Sequence, residues 1–162
     1  MHRILIVFST SRYSQELVEH ALKEAEGARE RGEDVEIRVT YIIEANELEK
    51  VYHSVGAVGF LGAKTQKEVL DTLAREHHRT ARRRVGEAAD SAREKGFSVT
   101  TTEVEGDFSK VVYELAKEDY QVLFLTRADR PFISRFLFGS ECDRVARLVR
   151  QEGLGEVIVE DG

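Results

Sequence analysis

Short apolar runs alternate along the chain with segments whose apolar residues recur at helical spacing. Ile4–Phe8 and Val122–Leu125 are apolar throughout, a pattern typical of strands buried on both faces of a sheet. Polar and apolar residues alternate through the first half of Val35–Ile43, which predicts a strand that a helix covers only partly. Two further strands are predicted at Phe97–Val104 and at Val157–Val159.

Four segments with helical periodicity separate these strands. Ser14 is placed to cap the first helix, and a capping box at Thr65–Glu68 predicts the start of a long second helix that runs to about Lys95. The turn Glu105–Ser109 precedes a short third helix, and Gly139-Ser140 opens the fourth. The buried face of the long helix is predicted to consist of Val69, Leu70, Leu73, Ala81, Val85, Ala88, Ala89 and Ala92.

The element order βαβαβαβαβ predicts an α/β fold, a doubly wound and mainly parallel five-stranded sheet with helices on both faces. A chain of 162 residues fits a single domain over 1–162, with an irregular insertion at 44–64 before the long helix. Ligands of such Rossmann-like sheets bind beyond the carboxyl ends of the strands, where the winding direction switches. That rule predicts where a candidate crevice lies.

The predicted crevice is bordered by the end of strand one, the end of strand two, and the loop between Thr126 and Ser140. Backbone N–H groups at the start of the fourth helix can hold an anion, with Ser140 as the cap and Asp143 in the capping box. An ordinary strand–helix connection with a good cap gives the same pattern. The candidate ligand-binding residues are Ser9, Thr10, Ile42, Thr126, Arg127, Arg130, Gly139 and Ser140.

Arginines in this loop allow two interpretations. Arg127, Arg130 and Arg135 can supply positive charge to a phosphate group. The interpretation we favour is that they form ion pairs with nearby carboxylates, because arginines in acid-rich surface loops usually do. Those carboxylates are Asp129, Glu141 and Asp143. An Asp129 that pointed into the crevice would repel phosphate.

Composition narrows the classes of function. The net charge of −6 argues against nucleic acid or acidic membranes as partners, and no apolar run is long enough to cross a bilayer. A basic cluster between His77 and Arg84 lies among acidic residues, so a solvated, salt-bridged helix face is the favoured interpretation. A single cysteine, Cys142, excludes an intrachain disulfide and makes a cytoplasmic location the expectation.

The sequence favours a binding protein over an enzyme. Cysteine, histidine and carboxylate residues show no metal-ligand spacing, and no nucleophile–base pair can be identified. Of the five histidines, only His53, in the insertion, is placed where it can reach over the crevice. Cys142 is expected to be a small buried residue.

Along nearly its whole length the chain resembles the universal stress protein family. The resemblance includes the strand and helix order, the Glu-Gly-Asp turn at Glu105–Asp107, and a strand-four loop that closes with Gly139-Ser140. Nucleotide-binding members carry Gly-x-x-Gly, nine residues, then Gly-Ser or Gly-Thr. The two earlier glycine positions are Thr126 and Asp129 here, and Ser9 stands where ATP-binding members usually have an aspartate.

The resemblance implies a stress-response or regulatory binding module that is not a conventional ATP binder. It also implies a homodimer that pairs through Val157, Ile158 and Val159 of the last strand, with a further protein partner left open. The alternative is a protein that binds ATP or another adenine nucleotide, with Mg²⁺, through an altered phosphate loop and hydrolyses it slowly.

Overall fold

Five parallel strands form one sheet in a computed structural model that describes residues 1–44, 49–50, 53, 62–128 and 140–162. The strands lie in the order β3-β2-β1-β4-β5, and each neighbouring pair is parallel. This arrangement confirms the predicted doubly wound α/β fold. The bounds are β1 (His2–Ser9), β2 (Val35–Glu44), β3 (Ser98–Gly106), β4 (Val122–Arg127) and β5 (Glu156–Asp161).

Four helices in the described part of the chain connect the strands. The bounds are α1 (Gln15–Glu30), α2 (Ala63–Glu94), α3 (Phe108–Ala116) and α4 (Glu141–Gln151). Three of them begin at a side-chain cap: Ser14 accepts from Leu17 N, Asp107 from Lys110 N, and Ser140 from Asp143 N. Each cap satisfies a backbone N–H that has no partner within the helix.

Alternation along the strands divides the interior into two layers. In β1, Ile4, Ile6 and Phe8 face the layer built with α1 and α2, whereas Leu5 and Val7 face the layer built with α3 and α4. All five side chains are at most 1% exposed, so β1 is buried on both faces, as its unbroken apolar run predicts.

The structure corrects two details of α2. Gly62 is the residue before the first turn and makes no side-chain cap, so the predicted capping box at Thr65–Glu68 does not start the helix. Burial begins only at Ala81; Val69, Leu70 and Leu73 are half-buried rather than buried. The reason is length, since 32 helical residues span about 48 Å while the nine residues of β3 span about 30 Å. The first turns of the helix therefore extend beyond the strands that it covers.

The carboxyl ends of β1, β2 and β4 meet at one edge of the sheet. Ser9 at the end of β1 pairs in register with Ile42 of β2. Winding direction reverses between β1 and β4, because β2 and β3 lie on one side of β1 and β4 and β5 on the other. The switch point of the sheet is therefore where the sequence predicts a crevice.

Gly155, just before β5, tests how closely the backbone packs at the opposite end of the sheet, where β4 and β5 begin. Its φ is +137°, and an added Cβ would lie 2.5 Å from the Tyr120 carbonyl oxygen. Gly155→Ala is expected to lower the free energy of unfolding by about 2–4 kcal/mol in urea titration.

Gly86, inside α2, is the control, because an added Cβ there meets nothing within 4 Å. Gly86→Ala is expected to raise the free energy of unfolding by about 0.5–1 kcal/mol. Equal effects of the two substitutions would contradict the close approach at Gly155.

Candidate functional site

A buried arginine occupies the carboxyl edge of the sheet at the end of β1. The chain leaves β1 and turns back at once: Ser9 N donates to Arg12 O at 2.8 Å, and Arg12 N donates to Ser9 O at 3.1 Å. This tight loop directs the Arg12 side chain inward, where it is 2% exposed. A guanidinium is always charged, so its burial requires partners of opposite charge.

Two carboxylates from different elements hold the Arg12 guanidinium. Nη1 donates to Glu44 Oε1 at the end of β2, and Nη2 donates to Glu141 Oε2 at the start of α4 over 2.9 Å. The guanidinium carbon lies 3.8 Å from the centre of the Phe108 ring of α3, a cation–π contact. Arg12 thus joins β1, β2, α3 and α4 at one point.

Glu44 is the best-satisfied carboxylate of this cluster. Its Oε2 accepts hydrogen bonds from Ser9 Oγ at 2.8 Å, from Ser11 N at 3.1 Å and from Ser11 Oγ at 2.6 Å. Burial by itself raises the pKa of the carboxyl, but the charge of Arg12 and these hydrogen bonds outweigh burial. The pKa of Glu44 therefore lies below its usual value, and the group is ionised at neutral pH.

Glu141 connects the cluster to the second helical layer. Its Oε1 accepts from Ser109 Oγ of α3 at 2.9 Å, while its Oε2 accepts from Arg12. Within the described residues the Arg12 Nε has no hydrogen-bond partner, and the other polar groups of the cluster are paired. We call this cluster the Arg12 network; its members are Ser9, Ser11, Arg12, Glu44, Ser109 and Glu141.

Three predicted site residues lie together beside this network. Ser9 donates to Glu44, and Thr10 accepts from the Glu44 backbone N–H at 3.1 Å. Ile42 lies in register with Ser9, with its side chain fully buried and its carbonyl accepting from Thr10 N at 3.1 Å. The structure therefore brings these residues together as supports of the Arg12 network.

Arg127 and Ser140 lie at the start of α4. Ser140 Oγ accepts from Asp143 N at 3.0 Å, which confirms the predicted cap. Arg127 Nε donates to both carboxylate oxygens of Asp143, at 3.1 and 3.0 Å, and Nη1 donates to Asp161 at 3.3 Å. Hydrogen bonds from Arg127 lower the pKa of Asp143. The ion-pair interpretation is confirmed for Arg127.

Thr126 belongs to the other face of the sheet. It is two residues beyond Phe124, whose side chain packs in the α1 and α2 layer, so alternation places Thr126 on that side. Its hydroxyl is buried and has no hydrogen-bond partner in the described part of the chain. Four residues of the predicted loop, Asp129, Arg130, Arg135 and Gly139, lie outside the described residues.

Cys142 and His53 are two further residues that the sequence singles out. Cys142 is buried, as expected, and burial raises the pKa of its thiol to about 12, so the group is a thiol at neutral pH. The His53 side chain is 75% exposed and lies 3.8 Å from Glu49. Among the described residues no group of three histidine, cysteine or acidic side chains is arranged to hold a metal ion.

Ion pairs on α2 support the solvated interpretation of its basic cluster. Arg79 lies 3.8 Å from Glu76, and Arg83 lies 3.3 Å from Glu87, with all four side chains at least half exposed. Arg84 instead stacks over the Tyr13 ring at 4.4 Å. No helix in the described ranges has the length and apolarity needed to cross a membrane.

Sequence reasoning missed the centre of the site. Glu44 was assigned to the irregular insertion, which is wrong, because it ends β2 and is only 8% exposed. A signal existed: a carboxylate follows directly on the apolar run Tyr41–Ile43, and an arginine follows β1 by three residues. Parallel strands bring such positions to one edge, where opposite charges can pair.

Comparison with known proteins decides the family. The model of the universal stress protein family matches residues 1–151. The chain belongs to the universal stress protein family. It is thus a member of a stress-response family, as the resemblance implies. A search of curated proteins found no match.

Several solved structures share this fold at low sequence identity. The hypothetical protein MJ0577 has a TM-score of 0.64 and 15% identity, over 99% of this chain and 96% of its own. UspA from Lactobacillus plantarum has a TM-score of 0.56 and 15% identity, over 98% and 96%. A universal stress protein from Archaeoglobus fulgidus has a TM-score of 0.52 and 16% identity, over 98% and 93%.

The Arg12 network predicts a specific dependence of stability on pH. Glu44→Gln leaves the Arg12 charge buried with only one carboxylate, so the free energy of unfolding is expected to fall by about 3 kcal/mol at pH 7. Because the folded pKa of Glu44 is lowered, its contribution is present above the unfolded pKa of about 4.3 and is lost as pH falls through the folded pKa.

Urea titrations at pH 7, 5 and 3.5 measure this effect. The difference between wild type and Glu44→Gln should be largest at pH 7 and should narrow at pH 3.5. Glu36→Gln is the matched control, since Glu36 pairs with Arg3 at 3.1 Å near the surface, where a pair is worth about 1 kcal/mol or less. An equal cost of the two substitutions at pH 7 would contradict the buried pairing.

Proposed function

We propose that this universal stress protein is a stress-response regulatory module that acts by protein contacts and is neither an enzyme nor a conventional ATP binder. One observation carries the proposal. At the carboxyl end of the sheet, where α/β proteins of this topology place their ligands, the Arg12 guanidinium is buried between Glu44 and Glu141.

The energetics of the Arg12 network favour this proposal. A nucleotide that entered the edge of the sheet at β1 would have to displace Arg12 from two carboxylates and from the Phe108 ring. Breaking a buried ion pair costs about 3–5 kcal/mol, because the partners are left charged and poorly solvated. The vacated carboxylates, Glu44 and Glu141, would then repel the phosphates.

The loop after β4 gives a second argument. Backbone N–H groups approach phosphate closely where glycine allows a tight turn, and the sequence has Thr126 and Asp129 at those two positions. Arg127, a candidate replacement for the lost contacts, is already bound by Asp143 and Asp161. Of the family pattern, Gly139 and Ser140 remain, and Ser140 caps α4.

We further propose a homodimer in the cytoplasm. β5 is an edge strand of the sheet, and pairing it with the β5 of a second copy would cover its backbone groups. The half-buried side chains of Ile158 and Val159 lie on opposite faces of β5. In a β5–β5 pair they would continue both interior layers from one subunit into the other. The single cysteine, present as a buried thiol, fits a reducing compartment.

Thermal-shift titration with ATP, ADP and AMP, each with and without Mg²⁺, tests the proposed loss of nucleotide binding. Wild type is expected to show no shift at 1 mM nucleotide. A ligand at about one hundred times its dissociation constant would add about 2.7 kcal/mol of stability, a readily measured change. Calorimetry under the same conditions checks the result independently of melting.

A nucleotide-dependent shift in wild type would overturn this part of the proposal and favour ATP binding through an altered loop. An Arg127→Ala, Arg130→Ala double variant then identifies the contacts, because that binding mode requires at least one of the two arginines. Arg79→Ala is the matched control for loss of an exposed arginine away from the sheet edge.

Sedimentation velocity tests the dimer. Wild type is expected to sediment as a dimer, and Val159→Lys as a monomer, because the substitution places two ammonium groups near the twofold-related strands. Thr101→Lys puts the same charge on β3, the opposite edge of the sheet, and should leave the dimer intact. A monomeric wild type, or a dimer lost only in Thr101→Lys, would contradict pairing through β5.

A further inference from the structure

The outer edge of β3 is a second open edge of the sheet. β3 is nine residues long, and among the described residues no strand pairs with its outer side. Thr100, Thr101 and Glu103 are all exposed, so both faces of the strand are accessible near its middle. Unpaired backbone groups along such an edge can template another strand.

A groove of about 300 Å³ runs beside this edge, between β3 and α2. Its helix wall is made of small side chains, Ala81, Val85, Gly86 and Ala89. Thr102 also lines the groove, although its hydroxyl is bonded to Thr40 on the other face of the sheet at 2.8 Å. The groove therefore reaches the backbone edge of β3 as well as its side chains.

Gly86 opens the middle of the helix wall. An added Cβ at this position would have no heavy atom within 4 Å, so the space over it is unoccupied by the described residues. Glycine inside a helix costs stability relative to alanine. Here its small size leaves room for a side chain of a strand lying along β3.

Positive charge flanks the groove. Arg82 and Arg93 line its two ends, in a chain whose net charge is −6. Arg82 has no hydrogen-bond or ion-pair partner in the described part of the chain, whereas Arg93 pairs at 3.0 Å with Asp90, whose side chain is exposed. Glu103 in the groove is already bonded to His78. The wall therefore presents cations toward an incoming strand.

We propose that the β3 edge binds an extended acidic segment of a partner protein as a sixth strand. Its small or apolar side chain would lie over Gly86, and carboxylates on the same face would meet Arg82 and Arg93. The two arginines are eleven residues apart, or about 16 Å along the helix. Side chains four apart on an extended strand share a face and span about 13 Å, which long arginine side chains can bridge.

A displayed library of random nonapeptides, selected on full-length wild type, tests the proposal. Enriched peptides should carry two acidic residues four apart, with a small or apolar residue midway. Gly86→Leu places a large side chain where an added Cβ meets nothing within 4 Å, and it replaces a helix glycine with a better helix former, so the fold should be kept. Binding of the enriched peptides, measured by fluorescence anisotropy, should weaken at least tenfold in this variant.

Charge reversal provides the matched pair of variants. Arg82→Glu and Arg79→Glu change the net charge equally on the same helix, but only Arg82 lines the groove. Peptide affinity should fall at least tenfold in Arg82→Glu and stay within twofold in Arg79→Glu. Equal losses would indicate only long-range attraction and would overturn the docking site.

Two further results would overturn the proposal. One is a selection that enriches no peptide on wild type over Gly86→Leu. The other is a change of oligomeric state in Gly86→Leu, measured by sedimentation, which would make the groove an interface between copies of this chain. Melting curves of each variant show that a loss of binding does not come from unfolding.

Discussion

A charge buried where a fold normally leaves room for a ligand is the constraint on which this structure depends. A buried guanidinium needs partners of opposite charge, so the interior supplies carboxylates, and the carboxylates in turn need hydrogen-bond donors. Glu44 obtains them from the loop after β1, and Glu141 from Ser109. These contacts connect the ends of β1 and β2 to the α3 and α4 layer.

The same constraint explains why several polar residues at the carboxyl ends of the strands have structural roles. Ser9 and Ser11 donate hydrogen bonds to the buried Glu44 carboxylate, and Thr10 accepts one from the Glu44 backbone N–H. Exchange of either serine would therefore remove a hydrogen bond from a buried carboxylate. Arg127 and Asp143 form a similar pair at the start of α4. Polar groups at the carboxyl ends of strands do not by themselves indicate a ligand, because they can satisfy one another's hydrogen bonds and charges.

Periodicity predicted the fold because each strand and helix carries its own local pattern. The run Ile4–Phe8 and the cap at Ser140 need no knowledge of distant residues. The Arg12 network was missed for the opposite reason, since Arg12 and Glu141 are 129 residues apart and meet only in the folded sheet. The half-burial of Leu73 likewise depends on how far α2 extends beyond the strands that it covers, and that length difference is not visible in the local sequence of the helix.

The two sheet edges then become the informative surfaces of the molecule. In the proposed function, specificity comes from the surfaces that the sheet presents to partners, and its two outer strands differ. The middle of β5, Val157–Val159, is apolar on both faces and suits an identical strand, whereas β3 is mainly polar and is bordered by Arg82 and Arg93. The two proposals use different edges, β5 for the homodimer and β3 for an acidic segment, so the proposed dimer would leave its β3 edges open to a separate partner.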